Sequence, residues 1–210
     1  MNKRILIADD HSAVRTGVKH ILLQEYKRVE VGEAVNGPDV FKKLKEGPWD
    51  ALILDVDLPG RSGLDILKQI RSEGSKIPVL MFSFHREDQL AVRALKAGAS
   101  GYLSKDAADM ELVTAINQLL SGRKYISAPA AQLLASQFSD APAEESHSLL
   151  SDREYQIMLL IAKGKTVSQI SDELSLSAST VSTYRSRILA KMKMKNNAEL
   201  MNYVIRQNMV

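Results

Sequence analysis

Short apolar, β-branched runs punctuate the first 126 residues, at Arg4–Ala8, Val29–Ala34, Ala51–Leu54, Val79–Phe82 and Gly101–Leu103. Between them, apolar positions recur with helical spacing over about 12–25, 38–46, 63–73, 88–97 and 107–121. Five strands alternating with five helices predict a parallel sheet covered on both faces, because parallel strands need crossover connections. Leu52-Ile53-Leu54 and Val79-Leu80-Met81-Phe82 do not alternate with polar residues, as expected of central strands buried on both faces. The breakers agree: Pro59-Gly60 and Gly63 follow the third run, Gly74 precedes the fourth, and Gly98 closes the fourth helix.

From residue 127 the strand pattern stops. Ala130–Phe138 predicts one short helix, and Ser139–Ser148 has the composition of a solvated linker. Residues 151–208 then read as four helices. Ser151 caps the first, with Glu154 as its capping-box partner, and Gly164 ends it. The second covers about 167–174, and Ser177-Ala178-Ser179 forms a turn and cap. The third covers about 179–193, and Asn196-Asn197 opens the fourth near 197–208. The expected architecture is an α/β doubly wound, five-stranded parallel sheet over 1–126, a linker with a short helix over 127–147, and a small all-α unit over 148–210.

Composition narrows the chemistry. The chain has no cysteine, which excludes disulfides, thiolate metal sites and thiol catalysis, and only 4 His. No apolar run approaches the roughly 18–20 residues needed to span a bilayer. The N-terminal run is too short for a signal peptide, so a cytoplasmic protein without a membrane partner is expected. Charge is uneven. Residues 1–126 carry 19 Lys and Arg against 17 Asp and Glu; 127–147 carry three acids (Asp140, Glu144, Glu145) and no base; 148–210 carry 9 bases against 5 acids. Arg185, Arg187, Lys191, Lys193 and Lys195 fall within eleven acid-free residues. That cluster fits either a polyanion partner or a solvated helix face.

In doubly wound sheets, ligands bind at the carboxyl ends of the strands. There the sequence places Asp9-Asp10 after the first strand, Asp55 and Asp57 after the third, Ser83 after the fourth, and Ser104-Lys105 after the fifth. Taken singly, each has an ordinary explanation: helix caps, a loop hydroxyl, a surface lysine. Together they share one rim and fit phosphoryl transfer. Asp9, Asp10 and Asp55 supply the oxygen donors a hard divalent cation, Mg²⁺, prefers. Asp55, central among the strand ends, is the best candidate nucleophile for an aspartyl phosphate. Lys105 would offset charge on the phosphoryl oxygens and Ser83 would donate to one of them. Positioning and electrostatics carry most of such a reaction.

On these residues the first 126 positions resemble a response-regulator receiver domain, the CheY-like fold. The matching pieces are Asp9-Asp10, Asp55 followed by Leu58-Pro59-Gly60, Ser83, Gly98-Ala99-Ser100-Gly101-Tyr102, and Lys105. The resemblance implies Asp55 as phosphoacceptor from a sensor histidine kinase. It implies Asp9, Asp10, Asp55 and the Asp57 backbone carbonyl at Mg²⁺, and Ser83 with Tyr102 as the switch pair. Two positions depart from the family pattern. Phe84 is bulkier than the small residue usual after the hydroxyl, and Asp57 puts a second carboxylate two residues past the acceptor. Both are expected to change the lifetime of the phosphoryl group, by crowding and repelling the attacking water.

The helix pair 167–174 and 179–193, with bases on the second, has the helix-turn-helix pattern. Residues 150–201 resemble the LuxR-type helix-turn-helix of NarL/FixJ-type regulators, through Leu150-Ser151-Asp152-Arg153-Glu154, Ala162-Lys163-Gly164-Lys165-Thr166, Gln169-Ile170-Ser171, Leu176-Ser177, Ser179-Thr180-Val181 and Ile188-Leu189-Ala190-Lys191-Met192. By that match Ser182, Thr183 and Ser186 face base edges, while Tyr184, Arg185, Arg187 and Lys191 lie nearer the backbone. Some relatives carry Lys where Ser182 and Ser186 stand, so the target sequence stays open. The implied whole is a transcription regulator, not an enzyme, in which phosphorylation controls binding to double-stranded DNA, with a homodimer holding two promoter repeats. Two other readings remain. One is a phosphatase using Asp55-Val56-Asp57, although in such enzymes the motif follows the first strand. The other is a relay whose helical unit binds protein.

Overall fold

The alternation of strand and helix folds as a single parallel sheet. The structure, a computed structural model, describes residues 2–84, 89–136, 146–207 and 209. Strands β1 (Lys3–Ala8), β2 (Val29–Ala34), β3 (Ala51–Asp55), β4 (Val79–Ser83) and β5 (Gly101–Ser104) lie in the order β2-β1-β3-β4-β5. Every pair is parallel, with Ile7 opposite Ile53, Asp55 opposite Phe82, and Ser83 opposite Ser104. Helices α1 (Ser12–Glu25), α2 (Gly37–Lys45), α3 (Gly63–Ser72) and α4 (Gln89–Lys96) make the four crossovers, and α5 (Ala108–Leu120) follows the last strand. These agree with the expected segments to within a residue or two; position 88, where the fourth helix was expected to begin, lies outside the described residues. A short 3₁₀ turn, Lys105–Ala107, precedes α5.

The pleat sends alternate side chains to opposite faces. On one face Ile5, Ile7, Ile53, Leu80, Phe82 and Leu103 pack with Val18 and Leu22 of α1 and with Leu112, Ile116 and Leu119 of α5. The alternate positions Leu6, Leu52, Leu54 and Met81 are equally buried. Both faces are therefore dry, which explains why β3 and β4 show no polar alternation. Tyr26 at the end of α1 donates to Asn117 Oδ1 of α5 at 2.8 Å, tying the two helices together.

The chain divides into two compact units, residues 1–134 and 135–210. Helix α6 (Ala128–Ser136) begins two residues before the expected segment, whose last two positions, 137 and 138, lie outside the described residues. So do Asp140, Glu144 and Glu145 of the expected linker. The linker's end is ordered: Ser146–Leu149 forms a 3₁₀ turn. The second unit contains α7 (Asp152–Ala162), α8 (Val167–Glu173), α9 (Ala178–Lys191) and α10 (Asn197–Arg206). Ser151 caps α7 with both halves of the capping box in place, Thr166 and Gln169 repeat the arrangement at α8, and Ser177 caps α9. Helix α9 packs on α7 and α8, and α10 on α7.

Candidate functional site

The strand order reverses between β1 and β3, because β2 lies on one side of β1 and β3 on the other. Such a switch point opens a crevice beyond the carboxyl ends of the two strands. Asp9, just past β1, and Asp55, the last residue of β3, face it with side chains only 1% exposed. Lys105, first residue after β5, reaches across β4 to both. Its Nζ lies 2.8 Å from Asp55 Oδ2 and 2.7 Å from Asp9 Oδ2. Residues 46 to 96 positions apart in sequence thus meet at a single ammonium group.

Asp9 and Asp10 do not act as helix caps. The N-cap of α1 is His11, and no side chain caps it. Asp9 Oδ1 instead accepts the His11 backbone N–H at 2.8 Å, while Asp9 Oδ2, fully buried, has no hydrogen bond of acceptable angle. Its closeness to Lys105 is therefore an ion pair of poor directionality, and the oxygen keeps capacity for a cation. Asp55 Oδ1 accepts the Asp57 N–H at 3.1 Å. Burial pushes the Asp55 carboxyl up to about 7; Lys105 opposes this, and the neighbouring charges of Asp57 and Asp9 reinforce it. Burial pushes Lys105 down, but Asp55 and Asp9 outweigh it and the net shift is upward, so Lys105 is charged. Among the described residues one ammonium contacts the Asp9 and Asp55 carboxylates, with Asp10 and Asp57 beside them, so this cluster is short of positive charge.

That shortage, the buried Asp9 Oδ2 and the all-oxygen carboxylate set together fit a hard divalent cation. Asp9, Asp10, His11 and Asp55 each offer a donor atom within 4.8 Å of the others. His11 was not anticipated from the sequence; its Nδ1 sits 2.8 Å from Asp10 Oδ1. Nor was Arg15, whose Nη1 donates to the backbone carbonyls of Asp9 (2.8 Å) and Asp10 (3.1 Å) while its Nε donates to Glu33 Oε2. Arg15 lies one helical turn past His11, and that spacing is the signal that would have found it. Gly63 opens α3 against the acceptor strand, where any Cβ would collide with the Asp55 carbonyl oxygen.

The remaining rim residues sit where the strand ends put them. Ser83 is fully buried at the end of β4, and Tyr102 is buried within β5 opposite Met81. Phe84 is 54% exposed, yet its ring centroid lies 4.9 Å from Lys105 Nζ, so the ring leans over the lysine.

In the helical unit Ser182, Thr183 and Ser186 are exposed on α9, with Arg187 beside them; Tyr184 and Arg185 are half-buried. Thr183 Oγ1 and Ser186 Oγ donate to the carbonyls four residues back, at 2.9 and 3.1 Å. Arg185 Nε donates to Asn197 Oδ1 at 2.7 Å, and Lys191 Nζ donates to Glu154 Oε2 at 2.6 Å. Glu154 was foreseen as a cap but not as the partner of Lys191.

A 2-1-3-4-5 sheet with a buried carboxylate–lysine cluster at its switch point, followed by a helix-turn-helix, defines a phosphorylation-type receiver joined to a DNA-binding module. The chain belongs to the two-component response regulators: residues 5–117 match the response regulator receiver domain and residues 148–204 the luxR family of bacterial regulatory proteins. It is 38% identical over 207 residues to the response regulator UvrY of Escherichia coli K12, covering 98% of this chain and 94% of that one. It is 38% identical over 208 residues to the response regulator GacA of Pseudomonas aeruginosa, covering 99% and 97%. Among solved structures it is similar to RcsB of Salmonella enterica serovar Typhimurium bound to the promoter P1flhDC in the presence of the phosphomimetic BeF3⁻, with a TM-score of 0.60, 25% identity, and 97% and 98% coverage. The fold class and the regulator class expected from the sequence are both borne out. Among the described residues no helix is long and apolar enough to cross a membrane.

Proposed function

We propose that this chain takes a phosphoryl group on Asp55 from a histidine kinase and so controls the binding of residues 148–210 to promoter DNA. The observation that carries the reading is the contact of one buried ammonium, Lys105, with both Asp55 and Asp9. An Asp55 carboxylate oxygen attacks phosphorus, the P–N bond to the donor imidazole breaks, and that nitrogen keeps the electron pair and takes up a proton. Asp9, Asp10, Asp55 and the Asp57 carbonyl would hold Mg²⁺. Bound there, the ion supplies charge neutralisation and alignment for an in-line transfer. Lys105 leaves Asp55 to pair with a phosphoryl oxygen, Ser83 donates to another, and Tyr102 repacks with Ser83. These moves bias a pre-existing equilibrium between receiver states.

The division into a receiver over 1–126, a linker over 127–147 and a helix-turn-helix over 148–210 belongs to the same proposal. So do the cytoplasmic setting, the base-facing roles of Ser182, Thr183 and Ser186, the backbone-facing roles of Tyr184, Arg185 and Arg187, and a phosphorylated homodimer on repeated half-sites; Lys191, expected with that second group, is taken up below. The regulator reading is favoured over the phosphatase alternative by the family, one of DNA-binding regulators, and by the place of Asp55-Val56-Asp57 at the end of β3, not of β1. The test is incubation with acetyl phosphate and Mg²⁺ followed by intact mass measurement. One phosphoryl group is expected on the wild-type chain and none on Asp55→Asn; full labelling of Asp55→Asn overturns the assignment.

A further inference from the structure

The cations of α9 are not equivalent. Arg187 is exposed and forms no ion pair among the described residues. Lys191, in the last turn, donates to Glu154 Oε2 at 2.6 Å, and the Glu154 side chain is only 4% exposed. The same oxygen accepts the Ser151 N–H at 2.7 Å, completing the capping box of α7. One buried carboxylate therefore stitches the first turn of α7 to the last turn of α9. Burial pushes the Glu154 carboxyl up, but Lys191 and the two Ser151 hydrogen bonds outweigh it and its net shift is downward.

A DNA phosphate approaching Lys191 would meet a charge already neutralised and a carboxylate beside it. Drawing the ammonium away would strand Glu154, buried and unmatched, which is among the costlier changes a fold can suffer. We propose that Lys191 is a positioning residue for DNA recognition and not a phosphate contact, its pair with Glu154 fixing the angle at which α7 carries α9. The proposal rests on the reading of α9 as the recognition helix. The geometry gives the pair leverage. Ser186 and Ser182 stand five and nine residues before Lys191, so Ser182 is about 13 Å along the axis at 1.5 Å per residue. A tilt of about 10° hinged at Lys191 moves Ser182 by about 2 Å, enough to break a hydrogen bond to a base edge.

The test uses the full chain with two probes: the duplex that wild type enriches from a randomised pool, and a scrambled duplex of the same composition, each titrated over a range of salt. Phosphate contacts appear in the log–log salt slope, at about 0.9 per neutralised phosphate, and contacts that only position the helix do not. Arg187→Gln is expected to lower that slope by about 1 on both duplexes. Lys191→Met is expected to weaken the selected duplex by about tenfold or more while leaving the scrambled affinity and both slopes unchanged. Lys191→Arg restores the selected affinity. Glu154→Gln, which keeps the capping acceptor, reproduces the loss, and the double variant loses no more than either single one. A merely structural pair would lower the melting temperature without changing the ratio of the two affinities. Affinity falling in step on both duplexes with the slope reduced by about 1, or an unaffected Glu154→Gln, overturns the proposal. If wild type enriches no duplex, the recognition-helix reading itself fails; if it binds and Lys191→Met matches it, only the Lys191 assignment falls.

Discussion

Replacing Lys105 by Met removes the single ammonium that faces Asp9 and Asp55 at 2.7 and 2.8 Å, and leaves two carboxylates only 1% exposed. Breaking a buried pair from one side costs about 3–5 kcal/mol. The expected loss above neutral pH is of that size, within the whole stability of many domains. It shrinks as pH falls below about 7, where Asp55 takes up its proton in the folded wild type as well. Trp49 is the only tryptophan and lies in the 1–134 unit, so its fluorescence during urea unfolding follows that unit alone. Added Mg²⁺ should recover most of the loss, since a bound ion stabilises by mass action and replaces the missing charge. A loss below about 1 kcal/mol above neutral pH, or one that does not shrink on acidification, refutes the placement of Lys105 as the charge that holds the cluster together.

Phe84→Ala removes the ring over Lys105, and Asp57→Asn removes a carboxylate beside the acceptor. Each is expected to speed loss of the phosphoryl group about 2–5-fold, the rate equivalent of about 0.5–1 kcal/mol, and unchanged decay of the labelled chain in both variants would refute the crowding argument. Ser175, in the turn between α8 and α9, has φ 51°, a left-handed conformation that strains any residue with a Cβ. Ser175→Gly should stabilise the helical unit by about 0.5–1 kcal/mol in thermal unfolding followed by ellipticity; a destabilised variant would contradict this. Glu154, held below its ordinary 4.5 in the folded unit, contributes stability that is present above that value and lost as pH falls through the folded one. Acid unfolding of the helical unit should be shallower in Lys191→Met, and an identical acid limb would argue against the pair.

The strands and their rim were readable in advance for a simple reason. Hydrophobic period fixes which segments are strands, and a parallel sheet then places all strand ends of one sense on one edge, so Asp9, Asp55 and Lys105 had to share it. What stayed hidden depended on single side chains meeting across the fold. Nothing in the helical spacing of α7 or α9 pairs Glu154 with Lys191, 37 residues apart. Composition also misled at the linker's end. Ser139–Ser148 averages as solvated chain, yet His147 is 2% exposed, lies between the rings of Tyr155 and Tyr203, and has Nδ1 2.7 Å from the Tyr203 hydroxyl. An average over ten positions cannot register one ring that finds a pocket.

Because Lys105 follows the last strand, the cluster does not exist until the whole sheet has been made. A nascent chain emerging from the ribosome presents Asp9 and Asp55 long before the cation that matches them. The cluster is therefore completed in one step with the sheet, and a copy truncated before Lys105 lacks the charge that joins Asp9 to Asp55.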